Sequence, residues 1–575
     1  MKPPAASSAR IWLWAGVILT ALKLWLTGAQ PVYAIGPAAH DDRLFLQLAE
    51  SIVNGEWLGS YSQMTLAKGP FYSIWIAGLF WAGIPLGLGV QLAYAGGCAL
   101  FTRACRPAIR SGGALLALYA FLLWNPMSFE GPTMARVSRQ QIYTPLELAA
   151  LAGLVALYCR RGESLRRLWP WAALSGLAFG CFWLTREESV WLIPSVVLLA
   201  AAALFWAYRL SIAHGQTMMK SIGVTVLCVL LPLAWVSTLN YRHYGWFGTV
   251  EFRAAEFNDA YGALVRVKLG PGLAYVPVTR QAREEIYKVS PTFAKLQPYL
   301  EGDYGRGWAA ASTAMTKLPA EERQIGSGWL MWALRDCVAA AGFCHNAREA
   351  LDFYGRMAAE INRACDAGRL PAYPPRSGFL PVWKDGETAE ILRTTGSFAH
   401  YVASYESFTP YTLPSVGNDD QLRLFRDVTR DHLSLAAVAT NDVLPDQMAL
   451  DARKLAWLQG LGSLLGPVLY ALFLAAHALL LVRLVQLARR REMTFPLALA
   501  ASAWGGALAY LLVNALVQVT SFTVLRASTF WPVYPLLQIF TVAVIWDAAA
   551  AWLRRPAADD ESEAKQTTAP RPLSS

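Results

Sequence analysis

Long apolar runs constrain this chain more than any other feature. They lie near 11–29, 86–103, 112–128, 142–159, 169–185, 189–208, 220–240, 457–483, 495–519 and 528–553. Most approach the roughly 20 residues that a helix needs to cross a hydrocarbon core. Inside lipid every backbone N–H and C=O must be paired within the protein, and runs of this length do that as helices. The chain therefore reads as an α-helical polytopic membrane protein with about ten transmembrane helices. A shorter run at 70–83, "PFYSIWIAGLFWAG", is too brief to span and reads as a re-entrant or interfacial helix.

Only 16% of the residues are charged, against about 25% in soluble domains. The net charge of +10 is accordingly a topology signal, and no nucleic-acid partner is expected. Arg103, Arg106 and Arg110, then Arg160, Arg161, Arg166 and Arg167, then Arg209 and Lys220 fall in alternate loops. Arg483, Arg489, Arg490 and Arg491, and finally Arg554 and Arg555, continue that series. If the spans alternate, these loops share one side, which the positive-inside rule makes cytoplasmic. Both termini are then cytoplasmic. The first 34 residues also carry a signal-like pattern ending in Val32-Tyr33-Ala34. The many later spans favour a retained first helix, with Lys23 snorkelling to the outer interface.

This topology divides the chain into an N-terminal transmembrane module, 1–242, with a first outer loop at 30–85. A hydrophilic exterior insert follows at 243–455, then C-terminal transmembrane helices at 456–555 and a polar tail, 556–575, expected to be disordered. The insert reads mainly helical: "GWLMWALRDCVAAA" and "NAREALDFYGRMAAEINRACDAG" repeat apolar residues every three to four positions. Cys337 and Cys344 could form a disulfide only if the helix breaks at Gly342, because seven residues of unbroken helix set them roughly 10 Å apart.

Charges at the outer ends of spans are costly near lipid and need a partner or a role. That side offers Asp41, Asp42 and Arg43; Lys68; Glu130, Arg136 and Arg139; Arg186, Glu187 and Glu188; and Arg526. Each has a plain alternative. Asp41 or Asp42 caps the helix "RLFLQLAESIVNG"; Lys68 snorkels; Arg186, Glu187 and Glu188 form an interfacial ion pair. Glu130 is a solvated loop residue, Arg136 and Arg139 pair with lipid phosphates, and Arg526 anchors at the interface. Together, both signs on one face suit a substrate that has an anionic group and a hydroxyl or amine to deprotonate.

Four stretches carry a family resemblance. Asp41-Asp42 open the first outer loop; Ala49 and Gly55-Glu56-Trp57 follow; then comes Lys68-Gly69-Pro70-Phe71-Tyr72, with Gly69 where Pro is commoner. Residues 176–194, "GLAFGCFWLTREESVWLIP", add a Gly-x3-Gly run and an Arg-acid pair. These resemble the GT-C class of polytopic glycosyltransferases, in particular the dolichyl-phosphate-mannose protein mannosyltransferase-like and lipid A aminoarabinose transferase-like proteins. The resemblance covers most of 1–240 and 457–553, and the insert 243–455 is unlike the compact C-terminal domain of that class.

The resemblance implies transfer of a sugar from a polyprenyl-phosphate donor to an acceptor lipid, glycan or protein at the outer face. One well-placed base candidate and no separate nucleophile predict inversion by single displacement. Asp41 and Asp42 would be the catalytic pair, Asp41 as base and Asp42 as cap or orienting group. Lys68, Arg186 and Arg526 would hold the donor phosphate. Glu130, Glu187 or Glu188 would serve as acceptor-side or second acid, with Arg43, Arg136, Arg139 and Tyr72 around them. No residues stand at metal-ligand spacing, so no cofactor is assigned, and a divalent metal stays open. The expected location is a bacterial inner membrane with a periplasmic site. Two other readings stay open: a transporter or flippase, for which Glu147 within a span is the main support, and a scaffold that binds through its exterior domain.

Overall fold

The structure is a computed structural model that describes residues 6–434, 445–490 and 493–553. Its first part runs α1 (Ala6–Thr27), α2 (Asp42–Val53), α3 (Phe71–Ala82), α4 (Leu86–Cys105), α5 (Gly112–Leu123), α6 (Gly131–Met134) and α7 (Gln140–Cys159). It continues with α8 (Leu165–Trp183), α9 (Ile193–Leu210) and α10 (Ile212–Tyr244). After the insert come the helices Pro445–Arg490, Phe495–Thr520 and Val533–Leu553. The tail 556–575 lies outside the described residues.

The described chain is that of a helical polytopic membrane protein. Seven helices are long and apolar enough to cross a membrane, eight if α3 and α4 count as one bent span. Helices occupy all ten apolar runs, though not every one is both long and apolar enough to span by itself. In the run 112–128, Asn125 accepts from Met127 N and starts a 3-10 turn, which leaves α5 only 12 residues, about 18 Å of helix. The short run 70–83 is α3, and it meets α4 at 109°. Gly83 makes that corner with φ +69°, a left-handed conformation that favours glycine, and Pro85 then starts α4.

α7 packs against α4, α8 and α9 at the centre of the bundle, and 89% of its span is buried inside the protein. A central helix has no polar face to show, which is why its sequence is apolar all round. α8 packs closely on α10. A Cβ on Gly176 would sit 2.2 Å from the Thr225 carbonyl oxygen, and one on Gly180 2.7 Å from that of Val229. The Gly-x3-Gly run is therefore a contact face for helix packing. Lys23 corrects an expectation: it does not snorkel. Its ammonium is buried and donates to the Leu123 carbonyl at 2.9 Å and Ser128 Oγ at 2.6 Å, with the Tyr94 ring beside it.

The insert is helical as expected. Ala255–Arg266, Ser327–Ala340 and Ala347–Asp366 build a core of their own with Phe257, Tyr261, Leu334, Phe353 and Met357. Asn346 caps the last of these by accepting from Glu349 N. "LPAYPPRSGFLP", 370–381, is loop. The helix from Ser327 does end before Gly342, yet Cys337 and Cys344 are both free thiols.

The insert also fixes the first outer loop. Residues 32–36 run extended beside its final segment: Val32 N donates to His432 O at 3.0 Å and Gly36 N to Val416 O at 2.8 Å. Further along the loop, Tyr61 Oη donates to Glu251 at 2.6 Å, and Glu251 pairs with buried Arg335, which also donates to Gln63 O.

Candidate functional site

α2 forms because Leu44, Phe45, Leu48, Ala49 and Ile52 recur at helical spacing and all are buried. Its N-terminus projects two carboxylates into different surroundings, since neighbours on a helix diverge by about 100°. Asp41 holds the N-cap position but makes no side-chain cap bond. Neither does Asp42 act as a cap: it is the first helical residue, and its side chain is turned to Arg136. The capping expectation fails because each carboxylate has a cation to pair with.

Asp42 is 1% exposed and lies in a two-pronged pair with Arg136, Nε to Oδ1 at 2.9 Å and Nη2 to Oδ2 at 2.7 Å. Burial pushes its carboxyl upward, and the Arg136 hydrogen bonds and charge pull it back. Asp41 pairs with Lys68 Nζ, but its side chain is 55% exposed against 9% for Lys68. Asp41 is thus the accessible member of the pair. Partial desolvation works upward on it, and the Lys68 ammonium prevails, helped by Arg139 and Arg136, so it stays below the ordinary carboxylate range. Lys68 itself sits between the Phe45 and Trp332 rings, and its burial lowers its pKa.

The loop after α8 supplies the far wall. Arg139 Nη1 donates to both Glu187 oxygens, at 2.8 and 2.7 Å, and to Thr185 O. Glu187 Oε1 also accepts from Gly69 N at 2.9 Å. Burial acts upward on Glu187, and these partners outweigh it and hold the carboxyl low. Arg186 pairs with Glu188, Nε to Oε1 at 2.7 Å, and lies over Tyr143. The Gly69 position has a physical reason. A proline there would have no N–H for Glu187, and any Cβ would fall 2.1 Å from the Leu184 carbonyl oxygen.

The structure thus brings Asp41, Asp42, Lys68, Arg136, Arg139, Glu187 and Gly69 into one linked cluster, with Arg186 and Glu188 adjoining. Four cations face four carboxylates in mutual pairs. The remaining expectations fare differently. Glu130 is not a solvated loop residue: it is 1% exposed and caps α6 by accepting from Thr133 N at 2.6 Å. Burial raises its pKa to about 7, against the pull of that hydrogen bond. Arg43 donates to Gly36 O at 3.2 Å and is bound to the outer loop. Tyr72 is fully buried and donates to Gln141 Oε1. Arg526 is exposed, N-terminal to the short helix Ala527–Phe530, with no ion pair among the described residues. Arg136 and Arg139 pair with protein carboxylates, which corrects the lipid-phosphate alternative.

Sequence reasoning missed three groups here. Arg253, just beyond α10, donates at 2.7 Å to the carbonyls of Arg186 and Glu187 and holds their loop in shape. Tyr33 lies among Arg136, Asp42, Glu130 and Arg526, and burial raises its hydroxyl to about 12. His40 stands edge-on to Trp308 and Trp332 of the insert, with centroids 4.9 and 4.7 Å away. Only His40 had a local signal, its adjacency to the Asp pair. The other two depend on contacts between distant segments.

No protein-family model matches the chain, and no curated protein matches it. Among solved structures it is similar to ArnT from Cupriavidus metallidurans, whose crystal structure is of the apo state. The identity is 13% over 93% of this chain and 77% of that chain, with a TM-score of 0.32.

Proposed function

We propose that this chain is a membrane glycosyltransferase that moves a sugar from a polyprenyl-phosphate donor to an acceptor, as the GT-C-like motifs of its sequence imply. The observation that carries the reading is the Asp41–Lys68 pair. It joins one accessible carboxylate to one sheltered ammonium, at the end of the helix bundle where the exterior insert closes over the outer loop. That is the composition needed for a base beside an anionic leaving group.

In this scheme the donor's lipid chain lies in the bilayer and its phosphate enters the cluster. The phosphate draws Lys68 away from Asp41, with Arg186 and Arg526 supplying further positive charge. Losing its cation raises the basicity of Asp41, so the base is strengthened only when donor is bound. Asp41 then takes the proton of the acceptor hydroxyl or amine as that group attacks the anomeric carbon. The bond from that carbon to the phosphate oxygen breaks, and its electron pair leaves with the polyprenyl phosphate. A single displacement of this kind inverts the configuration. Asp42 and Arg136 hold the start of α2, and Glu187, Arg139 and Gly69 hold the Lys68 segment against the loop after α8. The site faces the periplasm of a bacterial inner membrane on the positive-inside reading.

The test is a lipid comparison of cells carrying the wild-type chain and Asp41→Asn. The expected result is accumulation of a glycosyl-polyprenyl phosphate in the variant. Normal donor turnover by Asp41→Asn rejects Asp41 as base, and a retained product configuration rejects single displacement. A transport reading has one observation in its favour: Glu147 is fully buried in α7, and neither carboxylate oxygen has a hydrogen-bond partner among the described residues. Buried ionisable groups in spans often mark transport pathways.

A further inference from the structure

At the end of the bundle opposite the carboxylates lies a cavity of about 1720 Å³. It opens where the ends of α7 and α9 meet the turn after α4 and the three C-terminal helices. Among the described residues four arginines line it, Arg110, Arg161, Arg209 and Arg483, against one carboxylate, Asp547. That carboxylate is already engaged: Arg483 Nε donates to it at 2.6 Å, and Thr494 Oγ1 donates to its other oxygen. Arg110, Arg161 and Arg209 have no carboxylate partner among the described residues.

Arg161 is the most telling of the three. It lies over the Tyr158 ring, 4.7 Å from the centroid, and donates to Tyr158 O at 3.1 Å. Its Nε is buried with no acceptor among the described residues, and a buried donor left unpaired is costly. An oxyanion in the cavity would satisfy it, and Arg forks suit phosphate oxygens. The remaining wall is not that of a soluble-anion site. Trp206, Phe205 and Trp546 line it with Leu479 and Val482. Aromatic rings of this kind mark headgroup depth in a bilayer. Drug-sized ligands fill roughly 300–1,000 Å³, so the space exceeds what one inorganic phosphate requires.

We propose that this cavity binds the phosphate headgroup of an anionic membrane phospholipid, with its acyl chains along the apolar wall. The lipid ties together helix ends that are far apart in sequence, and the site is separate from the Asp41 cluster. This proposal does not rest on the transferase reading.

The test uses the full-length protein in a neutral detergent, with bound lipid read by native mass spectrometry. Phosphatidylglycerol should be retained as a single adduct about tenfold more strongly than phosphatidylcholine, the ratio that roughly 1.4 kcal/mol gives. Arg161→Ala should lose most of that preference. Arg110 and Arg209 are exposed, so Arg110→Glu with Arg209→Glu carries the same test if Arg161→Ala does not fold. Arg167→Glu, on an arginine that is 75% exposed and outside the cavity lining, should retain the adduct. Equal retention of the two lipids overturns the proposal, as does full retention by the double variant. Displacement of phosphatidylglycerol by inorganic phosphate also overturns it, by assigning the cavity to a soluble anion.

Discussion

The backbone N–H of Gly69 donates to the Glu187 carboxylate at 2.9 Å, across 118 residues of sequence. This bond joins the Lys68 segment to the loop after α8, and Arg139 holds the same carboxylate from α7's start. Gly69→Pro removes the donor and drives a ring into the Leu184 carbonyl. A hydrogen bond to a charged group is worth about 1.5–3 kcal/mol. The expected outcome is a lower melting temperature with loss of the proposed transferase activity. Gly69→Ala keeps the N–H but not the space, and should fall in between.

The two adjacent aspartates should separate by phenotype. Asp42→Asn leaves the half-buried Arg136 without its counter-charge, and breaking a fully buried pair costs about 3–5 kcal/mol, an upper bound here. Its defect should appear in thermal stability. Asp41→Asn changes an exposed carboxylate, and its defect should appear in turnover, by about 10²–10⁴-fold. Melting curves and product formation, measured on both variants, separate the two roles. Equal turnover by Asp41→Asn and wild type would remove Asp41 from the chemistry.

Glu130 predicts a pH dependence of stability. Its pKa is about 7 in the folded protein against an ordinary value of 4.5. Between these values the folded state binds more protons than the unfolded one, so this group's contribution is fully present below about 4.5. It is lost as pH rises through about 7. The expected size is on the order of 3 kcal/mol. Glu130→Gln keeps an oxygen to cap α6 but cannot titrate. Melting curves at pH 5 and 8 should therefore differ less for the variant than for wild type.

Arg526 should affect donor use without affecting the fold. It is exposed and has no ion pair among the described residues, and surface substitutions of this kind stay within about 0.5 kcal/mol. Arg526→Ala should raise KM for the proposed polyprenyl-phosphate donor while the melting temperature holds. An unchanged KM would leave Arg526 outside the donor site.

Glu147→Gln tests the transport reading. The carboxylate makes no hydrogen bond among the described residues, so the amide loses none. Full activity and unchanged stability are expected from the variant. A selective loss of substrate movement across proteoliposomes would instead support transport.

The sequence by itself determined the helical membrane class, the placement of the helices, the helical insert and the Asp pair at the start of α2. These rest on hydropathy and on periods of three to four residues, which are local properties of the chain. Span number was less legible, because one buried cap, Asn125, is enough to stop α5 short. Only the tertiary structure decided which charge meets which. Asp42 meets Arg136 from 94 residues away, Glu251 docks the outer loop through Tyr61, and Lys23 turns inward to Ser128. Many pairings of these ions satisfy the same one-dimensional pattern. The tertiary packing leaves one of them, because a buried ion is stable only beside the partner that the backbone brings within reach.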